Sequence, residues 1–154
     1  MVRWVDGFYG GLAAAATSAA FYAVASAAWI RDDSGVRAFA QIARAVPGFS
    51  HAPAEAPEAA LGVVLYLLAG AALGALYGLA AGRLRAMWQA PASVVWGAAY
   101  GLLVWWLGAD VLVPVLALAD FRPLWEGVAA SVVFYGIVLS EVTAIAGRRA
   151  AAAP

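Results

Sequence analysis

The sequence predicts an all-α integral membrane protein, a four-helix bundle with an additional amphipathic interfacial helix in its first loop. Hydrophobic residues make up 66% of the chain and charged residues 12%, whereas soluble globular proteins contain about 45–50% and about 25%. Four apolar stretches are long enough to cross a bilayer, which takes about 20 residues in a helix. None of them shows the alternation of polar and apolar residues that is typical of a membrane β-strand.

These stretches divide a single predicted domain, residues 1–154, into spans and connections. The four spans cover residues of about 8–30, 59–82, 92–118 and 127–147. The first span has an alternative interpretation as a signal peptide, because "ASAAW" at 25–29 resembles a cleavage site. Its apolar run is longer than the roughly 7–15 residues of a signal peptide. We therefore expect the first helix to remain in the protein.

The connection between the first two spans contains the predicted interfacial helix, at about 35–46. Its apolar residues recur on one helical face, while Arg37 and Arg44 lie on the other. Pro47 and Gly48 are expected to end it. A helix of this kind lies in the headgroup plane or over the mouth of a bundle. A lid or a lipid-contacting element is the alternative interpretation.

The placement of arginines predicts the orientation in the membrane. The chain contains no lysine, and its nine arginines balance nine acidic residues. The end that carries both termini has five of them: Arg3, Arg83, Arg85, Arg148 and Arg149. The other end has four, diluted by most of the acidic residues, so the positive-inside rule predicts cytoplasmic termini. The sequence has no basic stripe for nucleic acid, and the lipid bilayer is the expected partner.

Small residues at intervals of four mark the predicted packing faces. They are Gly70, Gly74, Gly78 and Gly82 in the second span, and Gly97 and Gly101 in the third. Residues four apart share one face of a helix, so these stripes predict close approach of another backbone. We expect the stripes to pack within the chain. Homo-oligomerisation through the same stripes is the alternative.

A tyrosine directly before a glycine occurs four times, at Tyr9, Tyr77, Tyr100 and Tyr135. The glycine admits a neighbouring helix, and the tyrosine hydroxyl can reach a backbone carbonyl or a polar side chain across the contact. Tyr9 and Tyr77 lie near the predicted membrane boundary, where anchoring in the aromatic belt explains them equally well. Tyr100 and Tyr135 lie deeper, and we expect them to have a partner inside the bundle.

Two carboxylates, Glu141 and Asp110, fall within predicted spans. Ionisable residues are costly there and are candidates for function. Arg83 or Arg85 is available as a partner of Glu141 if the second span packs alongside, and we favour a structural ion pair or a hydrogen-bonded packing residue over a transport role. Pro114 removes the backbone donor for the carbonyl of Asp110, which predicts a kink or a helix end.

The residue types exclude most enzymatic chemistry. With one histidine, no cysteine and no lysine, the chain lacks the metal-ligand sets and phosphate-binding motifs of common hydrolases. Glu141 and Asp110 are predicted in opposite leaflets, too far apart for a paired-carboxylate mechanism. We expect no catalytic residue, no cofactor and no metal.

Several features follow one another in a recognisable order. A small-residue first helix precedes a long outer loop, "GAAYGLLVWW" leads to Asp110, and "SVVFYGIVLSEV" precedes terminal arginines. This order resembles the YagU-like family of small bacterial inner-membrane proteins, over about the last hundred residues. The resemblance implies a bacterial inner membrane and no particular activity. It also implies a histidine where this chain has Ser131, which is a departure at a possible polar site.

We predict a non-enzymatic structural, assembly or accessory membrane protein that acts through helix–helix packing, with itself or with a larger complex. The alternative is a small oligomeric transporter or channel. Its polar site would comprise Glu141, Asp110, Tyr100, Tyr135 and Ser131. Transport requires a hydrated path between the two carboxylates. A third possibility, a membrane enzyme acting on lipid, rests on the amphipathic helix alone.

Overall fold

A computed structural model describes residues 3–25, 34–45, 55–89, 91–112 and 125–152, and these are almost entirely helical. Within them, four helices are long and apolar enough to cross a membrane: Trp4–Ala25, Pro57–Arg83, Ala92–Val111 and Gly127–Ala152. The described ranges contain no strand. The predicted all-α class and the number of candidate spans are therefore confirmed.

The helices are numbered in chain order. They are α1 (Trp4–Ala25), α2 (Ser34–Arg44), α3 (Glu55–Arg83), α4 (Ala92–Leu107), α5 (Trp125–Ala129) and α6 (Val138–Ala152). A 3₁₀ turn (Arg85–Trp88) follows α3, and a π-helical segment (Gly108–Leu112) continues α4. A second π-helical segment (Ala130–Ile137) joins α5 to α6. α5, this second π-helical segment and α6 follow one another without a break, and we call them together the C-terminal helix.

Several helices are longer than the sequence predicted. α1 begins at Trp4 rather than near residue 8, and α3 begins at Glu55 rather than near residue 59. The prediction stopped at charged residues, but acidic side chains are favourable in a first helical turn because they face the positive end of the helix dipole. The predicted ends near residues 30 and 118, and Pro114 with them, lie outside the described residues.

Small side chains fill the interior, and large apolar side chains cover the outside. The buried apolar residues include Ala14, Ala15, Ala71, Ala81 and Ala144. The exposed ones include Leu68, Leu76, Val95, Leu103 and Trp106. A water-soluble core would bury the large residues, whereas helices in lipid use small residues where their backbones meet. The distribution fits the four candidate membrane spans.

The long helices pack in a row. α1 contacts α3 on one side and the C-terminal helix on the other, and the C-terminal helix contacts α4. α3 and α4, the outer members of the row, approach each other much less closely. Each neighbouring pair runs antiparallel, as the contacts of Gly7 with Gly78 and of Gly11 with Gly70 show for α1 and α3.

This antiparallel order defines two ends of the molecule. The start of α1, the end of α3, the start of α4 and the end of α6 lie together, and we call this the arginine end. The opposite end carries α2, which packs on the first turns of α3. There the Phe39 carbonyl lies against Gly62, and Arg44 Nε donates to Glu58 Oε2 at 2.7 Å.

The face of α2 toward the protein is the predicted one. Phe39, Ala40 and Ala43 are buried, and Arg37 and Arg44 are exposed. The apolar side chains were recognisable from their helical spacing. The contact of α2 with α3 was not recognisable, because the spacing of residues within one helix does not indicate which other helix it packs against.

Candidate functional site

The closest helix contact joins α1 and α3 at their glycines. Gly7 and Gly11 of α1 lie against Gly74 and Gly78 of α3. A methyl group added at Gly74 would lie 2.5 Å from Gly11 Cα, and one added at Gly78 would lie 2.8 Å from Gly7 Cα. These distances are well below the ordinary contact distance of carbon atoms, about 3.5–4.0 Å. The backbones thus leave no room for a side chain.

The predicted stripe of α3 is therefore covered by α1 of the same chain. Gly70 continues the contact against Ala15, and Gly82 is half-buried at the end of α3. Gly7 was missed because the first span was predicted to start one residue later. Its spacing of four from Gly11 was the available signal.

A second glycine contact joins α4 to the C-terminal helix. Gly97 lies against Ser140 and the Gly136 carbonyl, and Gly101 lies against the Ser131 carbonyl. A methyl group added at Gly136 would lie 2.9 Å from Gly101 Cα. Ser131 thus takes part through its backbone. The regular spacing of Gly136 and Ser140 by four residues was present in the sequence but was not recognised there.

Tyrosine hydroxyls join α3 to α4 and to the C-terminal helix. Tyr135 donates to the carbonyl oxygen of Gly70 at 2.7 Å, and Tyr100 donates to the carbonyl oxygen of Leu73 at 2.7 Å. The ring of Tyr77 lies against that of Tyr100, with centroids 5.0 Å apart. Both deep tyrosines have a backbone carbonyl as partner, one of the two kinds that the sequence suggested. Aromatic side chains thus bridge α3 and α4 where the backbones remain apart.

Tyr77 is not a membrane-boundary anchor, and that interpretation is wrong. It is 1% exposed, and its hydroxyl lies 3.4 Å from the carbonyl oxygen of Met87. The 3₁₀ turn Arg85–Trp88 folds over it and buries Met87 as well. The turn could not be inferred from helical periodicity. Tyr9, in contrast, is 64% exposed, as an interfacial tyrosine would be.

Glu141 joins the C-terminal helix to the start of α4. Ser93 Oγ donates to Glu141 Oε1 at 2.8 Å, and Arg148 Nη2 lies 4.0 Å from Glu141 Oε2. The predicted partner Arg83 forms no ion pair with it among the described residues, and the side chain of Arg85 lies outside them. Helix order explains the difference: α6 packs against α4, whose first turn contains Ser93, and it barely contacts α3.

Asp110 lies far from this cluster. It is exposed on the π-helical segment at the other end of α4. Seventeen residues separate Ser93 from Asp110, which corresponds to about 25 Å along a helix. The structure therefore brings Glu141 together with Ser93 and Arg148, and it does not bring Glu141 together with Asp110.

Two further polar contacts link neighbouring helices of the row. The Thr17 hydroxyl donates to the carbonyl oxygen of Phe134, in the π-helical segment, at 2.8 Å. The hydroxyls of Ser18 and Tyr66 lie 2.9 Å apart. Thr17 and Ser18 were visible as an interruption of the alanine-rich first span, but their partners were not.

The arrangement is one of helix association. Hydroxyl groups donate to backbone carbonyls, and glycines admit neighbouring backbones. Within the described part of the chain, no group of three His, Cys, Asp or Glu side chains could hold a metal ion. The carboxylates of Glu58 and Glu141 each face an arginine.

Comparisons of the chain with protein-family models, curated proteins and solved structures give no match. The resemblance to the YagU-like family therefore stays a prediction.

Proposed function

We propose that this chain is a non-enzymatic multi-pass membrane protein that serves as a structural, assembly or accessory subunit through helix–helix contacts. In this proposal the four long helices form a membrane bundle, and α2 lies at its surface in the interface. The observation that supports it most is that the polar groups deep in the bundle form hydrogen bonds between helices. Tyr100 and Tyr135 each donate to a carbonyl of α3, which is how polar side chains hold helices together in lipid.

The outer face of α4 is the surface that we assign to a partner helix. Val95, Leu102 and Trp106 are exposed by 69%, 49% and 49%. Their spacing of seven and four residues places them on one side of the helix. An exposed tryptophan adds a large apolar contact of the kind that dominates protein interfaces. The glycine face of the same helix is already occupied by the C-terminal helix.

The contacts of α4 support this role over transport. Between Glu141 at one end and Asp110 at the other, α4 meets the C-terminal helix at Gly97 and Gly101. Backbone atoms are in direct contact there, which leaves no space for water along this helix contact. A path for a solute would have to run elsewhere.

The proposed setting is the bacterial inner membrane, with both termini in the cytoplasm. The arginine excess at the end that carries the termini supports this orientation. Membership of the YagU-like family belongs to the same proposal.

The test is purification of the tagged full-length protein from its native membrane in mild detergent. We expect an assembly larger than the 15.8 kDa polypeptide, formed with itself or with a larger complex. A cysteine in place of Val95 or Leu102 should cross-link to the partner. A cysteine at Val24, which is exposed on α1, is the matched control and should not. A monomer that conducts solutes in liposomes would contradict the proposal.

A further inference from the structure

The formal net charge of the chain is zero, but one end of the structure carries an excess of basic residues. The arginine end has five arginines and the carboxylates Asp6 and Glu141, an excess of three positive charges. The arginine end is thus basic, although the composition of the chain is balanced.

Packing brings the basic residues together from separate helices. A methyl group at Gly78 would lie 3.1 Å from the Arg3 carbonyl oxygen, so the start of α1 lies beside the last turns of α3. The 3₁₀ turn Arg85–Trp88 packs against α6. Arg148 of α6 reaches Glu141 close to the start of α4. The ends of α1, α3 and α6 thus present arginines on one surface.

Two of these arginines are partly neutralised. Arg3 Nε lies 3.7 Å from Asp6 Oδ2, and Arg148 Nη2 lies 4.0 Å from Glu141 Oε2. Arg83 and Arg149 are exposed and form no ion pair with a carboxylate of the described residues. They are the arginines whose charge remains available to a ligand.

We propose that the arginine end binds the phosphate groups of anionic phospholipids in the leaflet that surrounds it. A guanidinium group binds phosphate through two parallel hydrogen bonds, and clustered basic residues next to a membrane helix attract anionic lipids. Trp4 and Tyr9 are 55% and 64% exposed at the same end, where aromatic rings lie at the level of the headgroups. This inference requires insertion of the helices in a membrane. It does not depend on a partner protein.

The experiment measures lipid selectivity with the full-length protein in phosphatidylcholine vesicles. Trace amounts of spin-labelled phosphatidylglycerol or spin-labelled phosphatidylcholine report the fraction of lipid immobilised at the protein surface. We expect a larger immobilised fraction for phosphatidylglycerol. In the R83Q/R149Q variant this preference should fall to the level of phosphatidylcholine. R37Q, which removes an exposed arginine from the opposite end, should keep it.

Equal immobilisation of the two lipids by the unmodified protein would overturn the proposal, and so would an unchanged preference in R83Q/R149Q. Inorganic phosphate, added at constant ionic strength, separates the two sources of the anion. Loss of the preference in its presence would assign the surface to free phosphate and overturn the lipid assignment. Should R83Q/R149Q fail to fold, R149Q alone decides, because Arg149 is exposed in the last turn of α6.

Discussion

The hydroxyl of Tyr135 donates a hydrogen bond to the carbonyl oxygen of Gly70 across 2.7 Å. Gly70 is also the point where α3 meets Ala15 of α1, since a methyl group there would lie 2.5 Å from the Ala15 Cβ atom. Three helices therefore meet at one glycine, which supplies a bare surface to one neighbour and a carbonyl to the other. The stability of this junction can be measured with single substitutions.

Tyr135→Phe should lower the free energy of unfolding by about 0.5–1.5 kcal/mol, the contribution of one hydrogen bond. The ring stays in place, so the loss is confined to the hydroxyl. Thermal unfolding in detergent, followed by circular dichroism, measures it. Tyr9→Phe is the control. Because Tyr9 is exposed, this variant should be as stable as the unmodified protein. Equal stability of the two variants would show that the bond to Gly70 contributes nothing.

Gly74→Ala should be more damaging, with a loss of about 1–3 kcal/mol from overpacking. The added methyl group would meet the backbone of Gly7 and Gly11, which cannot turn away as a side chain can. Gly108→Ala is the matched control, since a methyl group there would meet nothing within 4 Å. Chemical unfolding of both variants gives the comparison. If Gly108→Ala is the less stable of the two, the contact between α1 and α3 is not as described.

Ser93→Ala should lower stability by about 1 kcal/mol, because it removes the hydroxyl that donates to Glu141. Asp110→Asn should have no effect on stability, since Asp110 is exposed at the other end. Glu141→Gln and Asp110→Asn, each measured alone, test transport. Solute flux into liposomes that requires both Glu141 and Asp110 would refute a purely packing role.

Arg44→Ala should leave the buried carboxylate of Glu58 without its ion-pair partner. Glu58 is 4% exposed, and its Oε1 atom already has no hydrogen-bond partner. Because the Arg44 side chain is 47% exposed, the pair is only partly buried, and its loss should cost about 1–3 kcal/mol, the penalty for leaving a buried acceptor unsatisfied. Because α2 is held there, we expect a cysteine at the buried position Ala43 to become reactive toward a thiol reagent in the variant. A cysteine that stays protected would show that apolar contacts alone hold α2.

The orientation can be tested on the same cysteine-free background. A cysteine at Ala52 should be labelled by an impermeant reagent from outside the cell, and a cysteine at Ala151 only after the membrane is opened. Ala52 lies in the first connection of the sequence, and Ala151 lies at the exposed end of α6. Cytoplasmic access to residue 52 would reverse the proposed topology.

The sequence was sufficient for the features that depend on neighbours along the chain. The length of the apolar stretches predicted the four candidate spans. The spacing of residues along a helix predicted the buried face of α2 and the glycine stripes. The depth of Tyr100 and Tyr135 in their spans indicated that their hydroxyls need a partner.

The sequence was not sufficient to predict contacts that depend on the order of the helices in space. Thr17 and Phe134 are 117 residues apart, and no local pattern links them. Ser93, and not Arg83, contacts Glu141 because α4, and not α3, lies beside α6. To predict the burial of Tyr77, one would need the path of the turn Arg85–Trp88, and that path depends on the helices on which the turn packs.

The row of helices has two kinds of contact, and they set different limits on how the sequence can vary. At the glycine contacts, such as Gly11 with Gly74, any enlargement displaces a backbone. The tyrosine side chains at residues 100 and 135 span the space from α4 and from the C-terminal helix to α3, so these contacts should accept a loss of the hydroxyl but not of the ring. Random mutagenesis should therefore tolerate phenylalanine at residues 100 and 135 far more often than alanine at residues 11 and 74.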